Sequence, residues 1–325
     1  MVERAPPPDE LRSPLIDAGR PELSRRDLLL GGATLLAALT HSERGEAETP
    51  TSDLLDAHDL QLPGDARIAR RALVLTPRPL PAHPLPVLVL LHGLGETGNE
   101  LLGIHAWGER YGLVTSYERL KRAPVARTLQ KLRYLTDSRV TELNQSLQRR
   151  PFRDLILVCP VTPNPYKLQP APQTLDRYAD WIEQTLLPTV RKRFPASPHS
   201  LHTGLDGCSL GGYVGIEVFL RKPELFTSYG GVQSAYGVAQ AGIYAERIAQ
   251  AIQSYGPKAL HFESSSQDPY LEPTRAISKR LTELDVPHVL REAPGPHNQP
   301  WLREIGTLEM LLWHSRQLEL RPSSS

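Results

Sequence analysis

The sequence predicts an α/β fold, a mostly parallel central sheet with helices on both faces. Two observations predict it. From residue 66 onward, short runs rich in Leu and Val alternate with amphipathic stretches at helical spacing. The runs are apolar at consecutive positions, as expected of strands covered on both sides. A length of 325 residues is near the upper limit for one hydrophobic core, so one large domain is expected over 48–325.

In order, the strand candidates are 71–76, 86–91 (Pro-Val-Leu-Val-Leu-Leu) and 154–159, then the shorter runs 199–204, 228–233, 258–263 and 287–292. Helical patterns fall near 174–193, 210–221, 238–254, 273–284 and 300–316. Residues 104–150 break the alternation. Their apolar positions, Val140, Leu143 and Leu147 among them, recur at helical spacing, which predicts a helical insertion. The insertion carries 10 Lys/Arg against 4 Asp/Glu. It reads either as a basic lid that attracts an acidic substrate or membrane surface, or as a solvated helical face.

The N-terminus has the pattern of an address. Ser24-Arg25-Arg26 and one polar residue precede the apolar stretch Leu28 to Leu39. That stretch falls short of the roughly 20 residues that span a bilayer, but it has the length of a signal-peptide core. The pattern resembles a twin-arginine signal, with Leu30 where lysine is often found, and a cleavage site could end at Ala47. The expectation is a leader over 1–47, export by the twin-arginine machinery, and a periplasmic or secreted bacterial protein without a stable membrane span. A short buried helix with a chance Arg-Arg is the alternative.

Bulk composition excludes some functions. The formal net charge is +1, so no global basic field points to a nucleic-acid partner. Hydrophobic residues at 40% and charged residues at 22% suit a globular chain. The two cysteines, Cys159 and Cys208, read as small buried thiols rather than a disulfide or metal pair.

Residues 207–212 read Gly-Cys-Ser-Leu-Gly-Gly, so Ser209 sits in a G-x-S-x-G pattern between a strand candidate and a helical stretch. A serine at the apex of a sharp strand-to-helix turn is strained, and the flanking backbones pass very close. Gly207 and Gly211 remove side chains that would collide there. The helix N-terminus then directs free N–H groups at the site, favouring a developing oxyanion.

The run His92-Gly93-Leu94-Gly95-Glu96-Thr97-Gly98 follows the strand at 86–91 and contains G-x-G-x-x-G. A dinucleotide site would need a second strand within about 30 residues. The next clear one starts near 154, so the nicotinamide reading fails. The segment suits an oxyanion loop instead, with the backbone N–H of Leu94 joining that of Leu210. Gly93 and Gly95 would let the loop approach a substrate, and His92 reads as a structural hydrogen-bonding residue.

A serine nucleophile on this turn calls for an acid and then a histidine further along the chain. Asp268 follows the strand candidate 258–263, and His297 follows 287–292 in Gly-Pro-His-Asn. Both stand beyond strand C-termini, where open parallel sheets build their sites. Glu263 lies within a strand, Asp285 at a helix end on the far side, His288 at a strand start and His314 in the last helix. None of these matches loop position and chain order together. A turn residue before Pro269 is the competing reading of Asp268. In the catalytic reading His297 takes the Ser209 proton and returns it to the leaving alcohol, while Asp268 fixes the imidazole tautomer.

With these residues in place, the chain from about 85 to 316 resembles the Putative esterase family of α/β-hydrolases, which includes esterase D, enterochelin esterase and the antigen 85 mycolyltransferases. The resemblance rests on His92-Gly93-Leu94-Gly95, Tyr178-Ala-Asp-Trp181, Leu187-Pro188 before Phe194, Gly207 to Tyr213, Pro223-Glu-Leu-Phe226 and Gly295-Pro-His297. It implies an α/β-hydrolase fold and cofactor-free chemistry on small-molecule or acyl ester substrates. Hydrolysis of a carboxylic ester leads. Acyl transfer to a cell-envelope acceptor, peptidase or amidase action, and a non-catalytic binding protein that kept the fold are the alternatives.

Overall fold

The computed structural model describes residues 52–128 and 133–319. The expected leader over 1–47 lies outside these residues. Eight strands form one sheet in the order β1-β2-β4-β3-β5-β6-β7-β8. They are β1 (Leu55–Gln61), β2 (Arg71–Pro77), β3 (Val87–Leu91), β4 (Ile156–Pro160), β5 (Thr203–Gly207), β6 (Ser228–Val232), β7 (Ala259–Gln267) and β8 (Val289–Pro296). β1 and β2 form an antiparallel edge against β4, and every other pair is parallel. β3 lies between β4 and β5, so the chain reverses its direction of winding there, and the strand ends around that point open a crevice.

The helices are α1 (Glu100–His105), α2 (Leu113–Lys121), α3 (Asp137–Arg149), α4 (Ala171–Trp181), α5 (Leu187–Arg193), α6 (Leu210–Arg221), α7 (Val238–Tyr255), α8 (Leu271–Glu283), the short α9 (Gln299–Trp301) and α10 (Thr307–Gln317). Wide turns of π geometry continue α1 through Ala106–Arg110, link α4 to α5, and link α9 to α10. Among the described residues no helix is long and apolar enough to cross a membrane.

β3 and β4 are buried at every residue, which is why their apolar runs are plain in the sequence. Three strands depart from expectation. β1 was not anticipated, because only Leu55 and Leu60 along it are buried. Its Asp59 pairs with Arg71 of β2 and its Asp56 with Arg78 just beyond β2, the charged pattern of an edge strand. β5 begins at Thr203 rather than 199, after a tight turn over Ser200–His202. It holds Gly204, Asp206 and Gly207, residues of low strand propensity that buried hydrogen bonds retain in the sheet. β7 runs on to Gln267 through three serines, so Asp268 follows the strand directly.

The insertion between β3 and β4 is helical, as expected. Two of its aromatic residues are core: Trp107 and Tyr117 are fully buried, and Tyr117 meets Phe152 edge to face at 5.3 Å. Its charges are largely neutralised within the chain. Arg119 reaches Glu304 at 3.9 Å, Lys121 reaches Asp154 at 2.8 Å, Arg127 reaches Asp137 at 2.6 Å, and Arg150 pairs with Glu319. Arg139 lies 2.5 Å from the buried Glu309 of α10. Arg119, Arg139 and Arg150 thus dock the insertion against the C-terminal helix and the turn before it.

Candidate active site

The loop after β5 is a sharp turn into α6. Ser209 has φ 55° and ψ −117°, a conformation that costs a non-glycine residue about 1–3 kcal/mol and persists only when neighbours enforce it. The neighbours are both flanking strands. The Cys208 N–H donates to Leu91 O of β3 at 3.1 Å, and the Ser209 N–H donates to Val232 O of β6 at 3.0 Å. Glycine is required on either side of the turn. A Cβ on Gly207 would lie 2.3 Å from Gly211 O, and one on Gly211 would lie 2.1 Å from Leu91 O.

His297 and Asp268 arrive from the ends of β8 and β7. His297 Nε2 lies 3.1 Å from Ser209 Oγ, and its Nδ1 lies 2.9 Å from Asp268 Oδ1. A carboxylate only accepts, so Nδ1 carries the hydrogen and the Nε2 lone pair faces the serine hydroxyl. Asp268 is held from three directions. Its Oδ1 also accepts from the Tyr270 N–H at 3.0 Å, and its Oδ2 accepts from Ser264 Oγ at 2.5 Å. The Tyr270 ring stands 5.7 Å from the His297 ring, edge to face. Ser209 is 9% exposed and Asp268 6%, while the His297 side chain keeps 18% of its surface open.

Leu94 opens a short turn (Leu94–Glu96) that includes Gly95, and Leu210 opens α6. First-turn N–H groups have no acceptor within their own helix. The Gly93 segment lies against the nucleophile turn, since a Cβ there would come 3.7 Å from Ser209 Cβ and 3.1 Å from the Tyr111 hydroxyl. His92 is fully buried and purely internal. Its Nε2 accepts from the Thr162 N–H at 2.9 Å, so its Nδ1–H donates to Gly93 O at 2.9 Å. Burial pushes its pKa down to about 4, which keeps it neutral.

The competing residues lie elsewhere. Glu263 is buried within β7, and Asp285 and His288 precede β8 at the opposite end of the sheet. His314 is buried in α10 against Asp206. Cys159 and Cys208 are free and buried, and burial pushes both thiols up.

Gln233 escaped the sequence reading. It follows β6 with φ 50°, and its backbone N–H donates to Glu263 O at 2.6 Å. Its Nε2 donates to Ser265 Oγ at 2.7 Å and to Pro296 O at 3.2 Å, tying together the strand ends that carry Asp268 and His297. Only its position directly after an apolar run ending in Gly-Gly-Val hints at this. Tyr111 and Glu96, which meet behind the Gly93 segment, were also unread as partners.

The family model described as Putative esterase matches residues 161–288, a span that holds Ser209 and Asp268. No curated protein matches the sequence. An S-formylglutathione hydrolase from Staphylococcus aureus is similar in structure, with a TM-score of 0.55 and 17% identity over 83% of this chain and 100% of its own. A ferulic acid esterase from Anaeromyces mucronatus aligns with a TM-score of 0.53 and 14% identity, covering 86% of this chain and 97% of that one. The enterobactin esterase of Shigella flexneri aligns with a TM-score of 0.54 and 17% identity over 83% of this chain and 62% of its own length. With its strand order, its winding reversal at β3 and its turn at Ser209, the chain has the α/β-hydrolase fold.

Proposed function

We propose that this protein is a serine hydrolase that cleaves carboxylic esters through an acyl-enzyme. The observation that carries the reading is the hydrogen-bonded series Ser209–His297–Asp268 at the mouth of the parallel sheet, with the strained serine at its head. His297 Nε2 draws the proton from Ser209 Oγ as the oxygen attacks the ester carbonyl. The N–H groups of Leu94 and Leu210 receive the charge that develops on the carbonyl oxygen. The imidazolium is stabilised by Asp268, and it returns the proton to the departing alkoxide. Water then repeats the sequence on the acyl-enzyme and releases the acid. The Putative esterase match and the structural neighbours named as esterases support the substrate class.

The test is hydrolysis of p-nitrophenyl esters of graded acyl length, with fluorophosphonate labelling, for the wild type and Ser209→Ala. Wild-type turnover and labelling, both lost in the variant by on the order of 10⁵-fold or more in kcat, are expected. A wild type that neither turns over nor labels refutes the reading.

A further inference from the structure

We propose that Tyr111 and Glu96 are positioning residues, a clamp that sets the direction of the Leu94 N–H toward Ser209. The inference rests on the ester-hydrolase reading above and assigns the helical insertion a part in it. The two peptide planes that flank Gly93 decide where the Leu94 N–H points. One of them contains the Gly93 carbonyl and the Leu94 N–H, which face opposite ways across a trans peptide. His92 Nδ1–H holds that carbonyl at 2.9 Å. The other plane contains the Gly93 N–H, which donates to the Tyr111 hydroxyl at 3.2 Å. Tyr111 in turn donates to Glu96 Oε2, a residue of the same short turn that Leu94 opens. Glycine at 93 has no intrinsic preference for one conformation, so both planes need an external hold.

The tyrosine is itself a fixed point. Its backbone N–H closes the wide turn on Ala106 O at 3.0 Å, and its carbonyl accepts from Thr307 Oγ1 at the head of α10, at 2.6 Å. Its ring meets Trp107 edge to face at 5.3 Å. Gly112 follows with φ +76°, and a Cβ there would fall 2.9 Å from Arg303 Cα, so the chain leaves Tyr111 along a single path. Through this residue the C-terminal helix and the insertion together brace the loop from behind.

The carboxyl argues the same way. Glu96 is 3% exposed, and a buried carboxyl is costly unless it is hydrogen-bonded or paired, so its bond to Tyr111 is a strong local constraint. Burial pushes the Glu96 carboxyl above the usual range, while Tyr111 and the Arg110 guanidinium 3.6 Å away draw it back. The Tyr111 hydroxyl bonds both this carboxyl and the Gly93 N–H.

The experiment compares wild type, Tyr111→Phe, Glu96→Ala, Glu96→Gln and Tyr111→Phe/Glu96→Ala on p-nitrophenyl acetate, with Ser209→Ala as the blank. Tyr111→Phe removes only the hydroxyl. It is expected to lower kcat about 10- to 100-fold, less than the loss of a whole oxyanion donor, with KM within about twofold of wild type. Glu96→Ala is expected to fall to the same level, and the double variant no further, because both act through one contact. Glu96→Gln keeps an acceptor for the phenol and is expected to rescue most of what Glu96→Ala loses. A Tyr111→Phe kcat within twofold of wild type overturns the clamp, as does a loss confined to KM. If Tyr111→Phe does not fold, the Glu96→Ala and Glu96→Gln pair decides by the presence or absence of rescue. An inactive wild type overturns the ester-hydrolase reading itself, a result distinct from active wild type beside an unaffected Tyr111→Phe.

Discussion

Among the described residues the same three side-chain types meet at two places. At the mouth of the sheet Ser209, His297 and Asp268 are linked at 3.1 and 2.9 Å. Inside it, Ser228 Oγ lies 3.0 Å from His314 Nδ1, and His314 Nε2 lies 2.9 Å from Asp206 Oδ2. Distances do not separate the two sets. Access and backbone do. Ser209 stands on a strained turn with helix-opening N–H groups beside it, whereas Ser228 lies within β6 and is fully buried. The inner histidine also faces the other way, with Nδ1 toward the serine.

The inner set is built into the packing. A Cβ on Gly230 would lie 1.8 Å from Asp206 Oδ2, and one on Gly204 would lie 2.7 Å from Ser228 Oγ. Burial pushes His314 down to about 3 and Asp206 well above the usual carboxyl range. Burial thus favours the neutral form of each, an arrangement in which the carboxyl donates to Nε2 and Nδ1–H donates to Ser228 Oγ. Asp206 Oδ1 accepts from the Gly207 N–H at 2.6 Å, so the set fastens the strand that delivers Ser209. Serine, histidine and aspartate make a reactive group only where substrate can enter and the developing charge finds donors.

The largest expected difference between the sets is kinetic. Asp268→Asn should lower kcat by on the order of 10³- to 10⁴-fold with the fold intact, because the amide no longer selects the imidazole tautomer. Steady-state kinetics beside a thermal melt measures this, and a loss under tenfold would remove Asp268 from the proposed triad. Ser228→Ala sharpens the contrast from the other side. It should leave kcat within about threefold of wild type yet cost about 1–3 kcal/mol of stability, since His314 Nδ1 loses its buried partner. Denaturant unfolding reports the second effect, and an inactive but stable variant would mean that the inner set takes part in chemistry.

A third difference is in pH dependence. Asp206 has a raised pKa in the folded state, so its contribution to stability is present below the unfolded value near 4 and is lost as pH rises. Asp206→Asn abolishes that titration. The stability difference between variant and wild type should therefore shift in the variant's favour by roughly 1 kcal/mol per pH unit above about 4, until Asp206 itself ionises. Unfolding curves from pH 5 to 7 that run parallel for the two proteins would show that Asp206 is charged in the fold.

Much of this site could be read along the chain, and the reason is local. The turn at Ser209 needs glycine at fixed offsets because the backbones beside it approach within van der Waals contact, so Gly207 and Gly211 leave a short-range mark. Asp268 and His297 were legible by chain order, since each follows a strand directly. Gln233 and the Tyr111–Glu96 pair were not. Their meaning lies in partners 15 to 63 positions away, and no spacing rule connects such residues. His314 was visible only as a less suitable base, because its partner Asp206 looks like one polar residue in a weak strand.

What the sequence by itself determined is the alternation of buried strands and helices and the strand-to-helix turn that presents Ser209. These follow from hydrophobic period and from glycine's missing Cβ, both properties of neighbouring residues. Only the tertiary structure decided which histidine and aspartate face that serine, which pair is sealed inside, and that the basic insertion braces the loop at Gly93. Those outcomes depend on which strand ends converge and on what burial does to charge, and both are settled only when distant segments share one core.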